Sequence, residues 1–313
     1  MSKDSSSKEV FKGIKLSNGR TLKYVVASGA LGFDGKGYFW ERPLVKLGLM
    51  RPELFTVVTK SLTLYPRVGN LQWWKPWECI RLIPGGSVNK VGLTNGGIAW
   101  WCDEVAPYVD SKKYAIIGSI YGNEQELVAM ARVFNSYGIV ALEVNKSCPN
   151  DIEPMNETDA VIKSVKAVKH ASRHPVIVKV SAAQNYLSIA LGLKGVAEAV
   201  SLNSVPWEMA FPGKRSPLWR LQKEVGGGGG GVSGKPAQLF NYKAVRELAG
   251  QGVLPVIGPD VMSLSDLYYV RLLGASAVSF GAIHLPSYPF LMQPWTLFTN
   301  PCKPTRIVRR LEK

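Results

Sequence analysis

Eight short runs rich in β-branched and aliphatic residues recur along the chain, at Tyr24–Ser28, Phe55–Lys60, Tyr114–Ser119, Ile139–Lys146, Pro175–Ser181, Ala197–Asn203, Leu254–Gly258 and Ala277–Gly281. Their apolar residues follow one another without polar alternation. A strand covered on both faces requires this pattern, and a strand with one wet face avoids it. Amphipathic stretches lie between several of the runs. Asn123 and Glu126 form a capping-box pattern ahead of Leu127, Met130, Ala131 and Phe134, which share one helical face. Ser263 and Asp266 repeat the pattern before Leu267, Val270 and Leu273, with Gly274 as the stop, and Val161, Val165 and Val168 keep helical spacing. Strand and helix alternating in this way predict an α/β fold, a (β/α)8 barrel, with a doubly wound open sheet as the alternative. A barrel of this kind takes up all 313 residues as one domain.

Two long segments interrupt the alternation. Residues 61–110 are rich in Trp, Pro and Gly, and residues 204–240 contain six consecutive glycines at 226–231. Both follow strand ends and are expected to lie as insertions over the C-terminal mouth of the barrel, where such folds build their sites. Residues 1–20 read as an N-terminal extension and residues 290–313 as a basic C-terminal tail.

Hydrophobic residues make up 46% and charged residues 19%, which excludes a disordered chain and fits a packed enzyme. The net charge of +15 points to an anionic partner. Lys and Arg are dispersed apart from Arg306, Arg309, Arg310 and Lys313, so small anionic ligands are expected rather than nucleic acid. Cys79, Cys102, Cys148 and Cys302 have no CxxC spacing, and the three histidines show no metal pairing. Neither a structural metal nor an iron–sulfur cluster within this chain is expected. The polar start and the lack of a run of about 18 apolar residues predict a cytoplasmic protein without stable membrane association.

In barrel enzymes the chemistry sits at strand C-termini. Those positions here carry Ser28–Gly29, Lys60–Ser61, Asn145 to Asn150, Lys179, Asn203–Ser204, Gly258 and Gly281–Ala282. Lysines and asparagines inside apolar strands are costly to bury without partners, which a polar planar ligand at the mouth would supply. Cys148 taken without its flanking Asn145 and Pro149-Asn150 reads as an inert buried thiol, the usual state of a free cysteine.

The segments Ala27-Ser28-Gly29, Thr59 to Leu64 with Pro66-Arg67 and Gly69-Asn70, Asn89 with Gly92-Leu93 and Asn95, Asn145 to Asn150, Val178-Lys179-Val180, Asn203-Ser204 and Gly274 to Ala277 resemble, in that order, the dihydroorotate dehydrogenase family. The resemblance spans roughly residues 24 to 283 and implies a barrel that binds FMN and oxidises (S)-dihydroorotate to orotate in pyrimidine biosynthesis. It implies that Cys148 removes the C5 proton while hydride leaves C6 for flavin N5. Cysteine at that position is similar to the cytosolic class rather than the membrane-bound one, which has serine.

The substrate residues it implies are Lys60, Asn89, Gly92, Leu93, Asn145, Asn150, Asn203 and Ser204, with Lys60 and the N–H groups near Gly92 and Leu93 holding the carboxylate. The cofactor residues it implies are Ala27, Ser28, Gly29, Lys60, Ser61, Asn145, Lys179, Ser204, Gly230, Gly231, Gly258, Gly281 and Ala282. Lys179 is similar to the lysine beside the flavin N1 and O2 edge. A homodimer and an iron–sulfur electron-transfer subunit are the implied partners, with fumarate or NAD as the final acceptor. Gly258-Pro259-Asp260-Val261 departs from the family's consecutive glycines, losing an N–H and adding a carboxylate beside the expected phosphate. Two other readings fit the same residues: a flavin barrel acting on another dihydropyrimidine or on tRNA dihydrouridine, and a barrel that has lost catalysis.

Overall fold

The structure, a computed structural model, describes residues 11–147, 157–221 and 228–312. Each apolar run forms a strand: β1 (Tyr24–Val26), β2 (Thr56–Val58), β3 (Ala115–Ile120), β4 (Ala141–Asn145), β5 (Val176–Val180), β6 (Ala199–Leu202), β7 (Val256–Gly258) and β8 (Ala277–Phe280). Neighbours pair in chain order, all parallel, and β8 closes on β1 through Val278 opposite Tyr24. The fold is a (β/α)8 barrel, and the open-sheet alternative falls. Several strands stop short of their sequence bounds. Lys60, for example, leaves the barrel ladder to donate its N–H to Gly32 O at 2.8 Å.

Helix α1 (Glu124–Phe134) follows the expected pattern, with Asn123 Oδ1 accepting from Glu126 N and Glu126 Oε2 accepting from Asn123 N, both at 2.9 Å. Leu127, Met130, Ala131 and Phe134 are buried; fully burying each of the three larger side chains contributes about 1.5–3 kcal/mol. Then come α2 (Thr158–Ala171), which buries Val161, Val165 and Val168, and α3 (Tyr186–Gly192), α4 (Lys235–Gln251) and α5 (Leu264–Leu272). At the start of α5 the box is not reciprocal. Ser263 Oγ accepts from Asp266 N at 3.1 Å, but the Asp266 carboxylate turns to Met262 N, also at 3.1 Å. The helical layer is less regular than strict alternation implies, since only the short helix Arg42–Lys46 and a single 3-10 turn separate β1 from β2. No helix among the described residues is long and apolar enough to cross a membrane.

An N-terminal hairpin, Ile14–Lys15 against Thr21–Leu22, plugs the lower end of the barrel. Its Ile14, Leu16 and Leu22 pack with the inward-facing Val25, Val58, Ile117, Ile177 and Ile257. At the other end of the chain Arg306, Arg309 and Arg310 lie on a docked helix, α6 (Lys303–Leu311), whose Ile307 and Val308 are buried in the main core.

The two long segments join each other. Val205–Pro206, Gly231–Gly234, Gly86–Asn89 and Ile80–Ile83 form, in that spatial order, a four-stranded antiparallel sheet. Gly230, at φ +100°, lets them approach: a Cβ there would lie 2.7 Å from Asn89 O. Of the tryptophans, Trp101 is core, with Nε1 donating to Phe33 O at 3.0 Å, and Trp100 meets the Phe33 ring edge-on. Trp73, Trp74 and Trp77 are exposed, at 42%, 70% and 56%.

Candidate active site

Above the apolar plug the inward-facing side chains become polar. Glu143 on β4 and Lys179 on β5 are both buried and form an ion pair, Nζ to Oε1 3.0 Å. Ser119 Oγ donates to the same oxygen at 3.1 Å, and Ser201 Oγ donates to Oε2 at 3.1 Å. The carboxylate is therefore satisfied on both oxygens, as a charge in this position must be. Lys179 thus has a partner within the barrel.

Because each serine hydroxyl has one proton, a directed chain follows. Ser119 spends its proton on Glu143, so Ser61 donates to Ser119 across 2.8 Å, and Asn145 Nδ2 donates to Ser61 at 3.0 Å. Ser147 Oγ donates to Asn145 Oδ1 at 2.8 Å, fixing which way that amide faces. Ser28 Oγ lies 3.2 Å from Ser61 Oγ and donates to Thr59 O at 2.8 Å, tying the end of β1 to the end of β2. Gly281 backs onto Ala27, where a Cβ would come within 3.3 Å of the alanine methyl, so the loops after β1 and β8 touch. Glu143, Lys179, Ser201, Ser279 and Ala27 line a cavity of about 20 Å3, which takes a guest no larger than a water molecule.

Lys60 is buried, and its Nζ donates to Thr94 O, reaching the turn that contains Gly92 and Leu93. Leu93 holds φ +58°, a left-handed conformation that β-carbon sterics disfavour, and Gly92 precedes it at φ +68°. Asn95 pins this turn: its Nδ2 donates to Leu93 O at 2.6 Å, and its Oδ1 accepts from Gly97 N at 2.8 Å. Strain maintained by a buried asparagine marks a position where the surrounding structure fixes the backbone, as at ligand clamps. Asn89 Nδ2 donates to Gly231 O at 3.3 Å, so Asn89, Gly230 and Gly231 meet in the small sheet. Asn203 Nδ2 donates to Ser147 O at 3.3 Å, linking the end of β6 to the segment after β4, and Ser204 follows it, half-buried.

At the opposite rim, Gly258 ends β7 with its α-carbon packed on Val270 and Ala275 of the neighbouring α5 unit. Asp260 follows at φ +56°, and its carboxylate accepts from Gly234 N at 2.8 Å and from Asn241 Nδ2 at 2.7 Å. Burial pushes this carboxyl up to about 6, and those two donors oppose the shift. Ala282 opens a 3-10 turn that ends at His284. Burial pushes the His284 imidazole down to about 4, and among the described residues neither ring nitrogen has a hydrogen-bond partner.

The residues named from the sequence thus form three groups, one of them Asn89, Gly230 and Gly231 in the small sheet. Ser28, Lys60, Ser61, Asn145, Lys179 and Asn203 are linked through one hydrogen-bond network or its immediate neighbours, with Gly29, Gly92 and Leu93 beside Lys60. Gly258, Gly281 and Ala282 lie at the ends of β7 and β8. Cys148 and Asn150 lie outside the described residues. Glu143, Ser119, Ser201 and Asn95 were not singled out as site residues. The signal for Glu143 was present in the sequence, a carboxylate inside Ala-Leu-Glu-Val-Asn with a lysine inside the next strand.

Residues 25–292 match the family model described as dihydroorotate dehydrogenase. The chain is 30% identical over 297 residues to a dihydroorotate dehydrogenase B (NAD(+)) catalytic subunit of Desulforamulus reducens, covering 92% of this chain and 87% of the relative. It is 32% identical over 291 residues to the subunit of the same name from Geotalea uraniireducens, covering 90% and 88%. With the subunit from Desulforudis audaxviator it shares 33% over 279 residues, covering 85% of each chain. Taken with a closed barrel whose polar residues gather at the strand C-termini, this match over most of the length assigns the chain to the dihydroorotate dehydrogenase family.

Proposed function

We propose that this protein is the catalytic subunit of a cytoplasmic dihydroorotate dehydrogenase, oxidising (S)-dihydroorotate to orotate with FMN as its flavin. The observation that carries the reading is the network joining Ser61, Asn145, Lys179 and Asn203 at one end of the barrel, with Lys60 next to Ser61 in the chain and reaching the strained Gly92–Leu93 turn. Carboxamides suit the alternating C=O and N–H edge of a pyrimidine, and Asn89, Asn145, Asn150 and Asn203 fill that role. A lysine and backbone N–H groups suit its carboxylate, which Lys60 and the Gly92–Leu93 turn receive.

The donor set also fits a flavin ring. Lys179, fixed by Glu143, supplies a buried cation for the edge that gains negative charge, and Ser28, Ser61 and Asn145 supply hydrogen bonds close by. A flavin held by Lys179, Ser28, Ser61 and Asn145 would supply the hydride-accepting chemistry for substrate C6. Cys148 takes the C5 proton, a task that needs surroundings favouring the thiolate.

The similar proteins are named as NAD(+)-type catalytic subunits, which supports a second polypeptide, an iron–sulfur electron-transfer subunit, as this chain's route to NAD. Trp73, Trp74 and Trp77 supply an exposed aromatic surface suited to that subunit or to a second copy in a homodimer.

Anaerobic mixing with dihydroorotate tests the reading. Flavin absorbance should bleach with dihydroorotate and not with dihydrouracil, which lacks the carboxylate. Fumarate, or NAD with the partner subunit, should restore it. The absence of bleaching sinks the reading. Cys148→Ser should keep orotate binding but slow bleaching by about 100-fold and shift its pH dependence upward. Unchanged kinetics remove Cys148 from the mechanism.

A further inference from the structure

In (β/α)8 barrels, phosphate groups are held between the loops after the seventh and eighth strands and a helix N-terminus, where unpaired backbone N–H groups point at the anion. At the same rim here the helix start belongs to α4, which precedes β7, and its Lys235 N already donates to Gly85 O at 2.9 Å. The turn Ala282–His284 after β8 packs against the strand Gly231–Gly234, which leads directly into α4. That seat already holds an anion belonging to the chain. Asp260, in the loop after β7, accepts from Gly234 N at the start of α4 and from Asn241 Nδ2 in its second turn. No side chain of residue 234 caps this helix, so Asp260 supplies its anionic cap.

The hold on Asp260 is extensive. Its own carbonyl accepts from Gln238 Nε2 at 2.9 Å, and its backbone stays left-handed at φ +56° although it is not glycine. Its predecessor Pro259 has no N–H to offer a ligand. Among the described residues no lysine, arginine or histidine forms an ion pair with it, and the charge of Asp266 helps to push its carboxyl up.

We infer that Asp260 is the residue that sets cofactor specificity at the phosphate end: it takes the place of a flavin phosphate, so the protein grips the flavin by its ring and discriminates little between FMN and riboflavin. The inference rests on the flavin reading above. A phosphate dianion brought to this rim meets a fixed carboxylate and a helix terminus whose first donor is already used.

The test is a fluorescence titration of FMN and of riboflavin, separately, into the full chain stripped of flavin, at pH 8. For the wild type the two dissociation constants should agree within about threefold. Asp260→Gly relieves the left-handed strain and vacates the seat, and Asp260→Asn keeps the shape and removes the charge. Each should tighten FMN by about tenfold or more while leaving riboflavin unchanged. Near-UV circular dichroism checks that both variants fold. If neither does, the wild-type ratio alone decides. A wild type that prefers FMN by about 100-fold, or variants with unmoved ratios, overturns the inference and leaves the proposed function standing. Failure of both flavins to bind wild type and variants overturns the inference and the flavin reading together.

Discussion

Burying Glu143 and Lys179 together is tolerable only because each neutralises the other and two serine hydroxyls complete the carboxylate. Glu143→Gln leaves the lysine charge buried and unpaired, and the expected cost is about 3 kcal/mol or more in a denaturant melt. A second change, Lys179→Met, should recover much of that loss, because it removes the buried charge that Glu143→Gln leaves uncompensated. Glu41 behaves differently. It is buried, accepts from Tyr38 N at 2.9 Å, and burial pushes its carboxyl up to about 7. A folded value above the ordinary one means that folding takes up a proton, so this group stabilises the fold below about pH 4.5 and the contribution is lost as pH rises toward 7. Glu41→Gln should therefore melt above the wild type at pH 8, with the gap closing at pH 5. A gap that does not move with pH would rule out titration of Glu41 as its source.

Among the elements, the four-stranded sheet was the least legible from sequence. The barrel strands announced themselves as apolar runs, and α1 announced itself through Asn123 and Glu126, because both signals are local. Gly86–Asn89 reads Gly-Ser-Val-Asn and Gly231–Gly234 reads Gly-Val-Ser-Gly, with neither period nor bulk to mark a strand. Only their mutual pairing makes them one, and that is a long-range fact. The site was legible for a related reason in reverse: lysine and asparagine stand out in apolar strands, whereas Ser119 and Ser201, which complete Glu143, do not. Gly230→Ala tests the sheet. A methyl there strains a positive φ and presses on Asn89 O, so KM for dihydroorotate should rise by about tenfold with a smaller effect on melting temperature. An unchanged KM would separate this sheet from substrate binding.

For the molecule as a whole, a net charge of +15 draws a monoanionic substrate toward the protein before any contact forms. At limiting substrate, kcat/KM should fall by about threefold between about 0.02 and 0.3 M salt, while kcat stays level. A flat salt profile would mean that the charge serves another partner. The pairing of Asn89 with Gly231, residues 142 apart, also bears on how the protein is made. On the ribosome the strands from β1 to β6 emerge first, with open edges and no closing seam, a state prone to wrong pairing. The sheet cannot close until Gly231 is out, and the β8–β1 seam forms later still. A fragment that ends before β8 lacks both the closing seam and the rim residues Gly281 and Ala282, so ligand binding should begin only once β8 has been made.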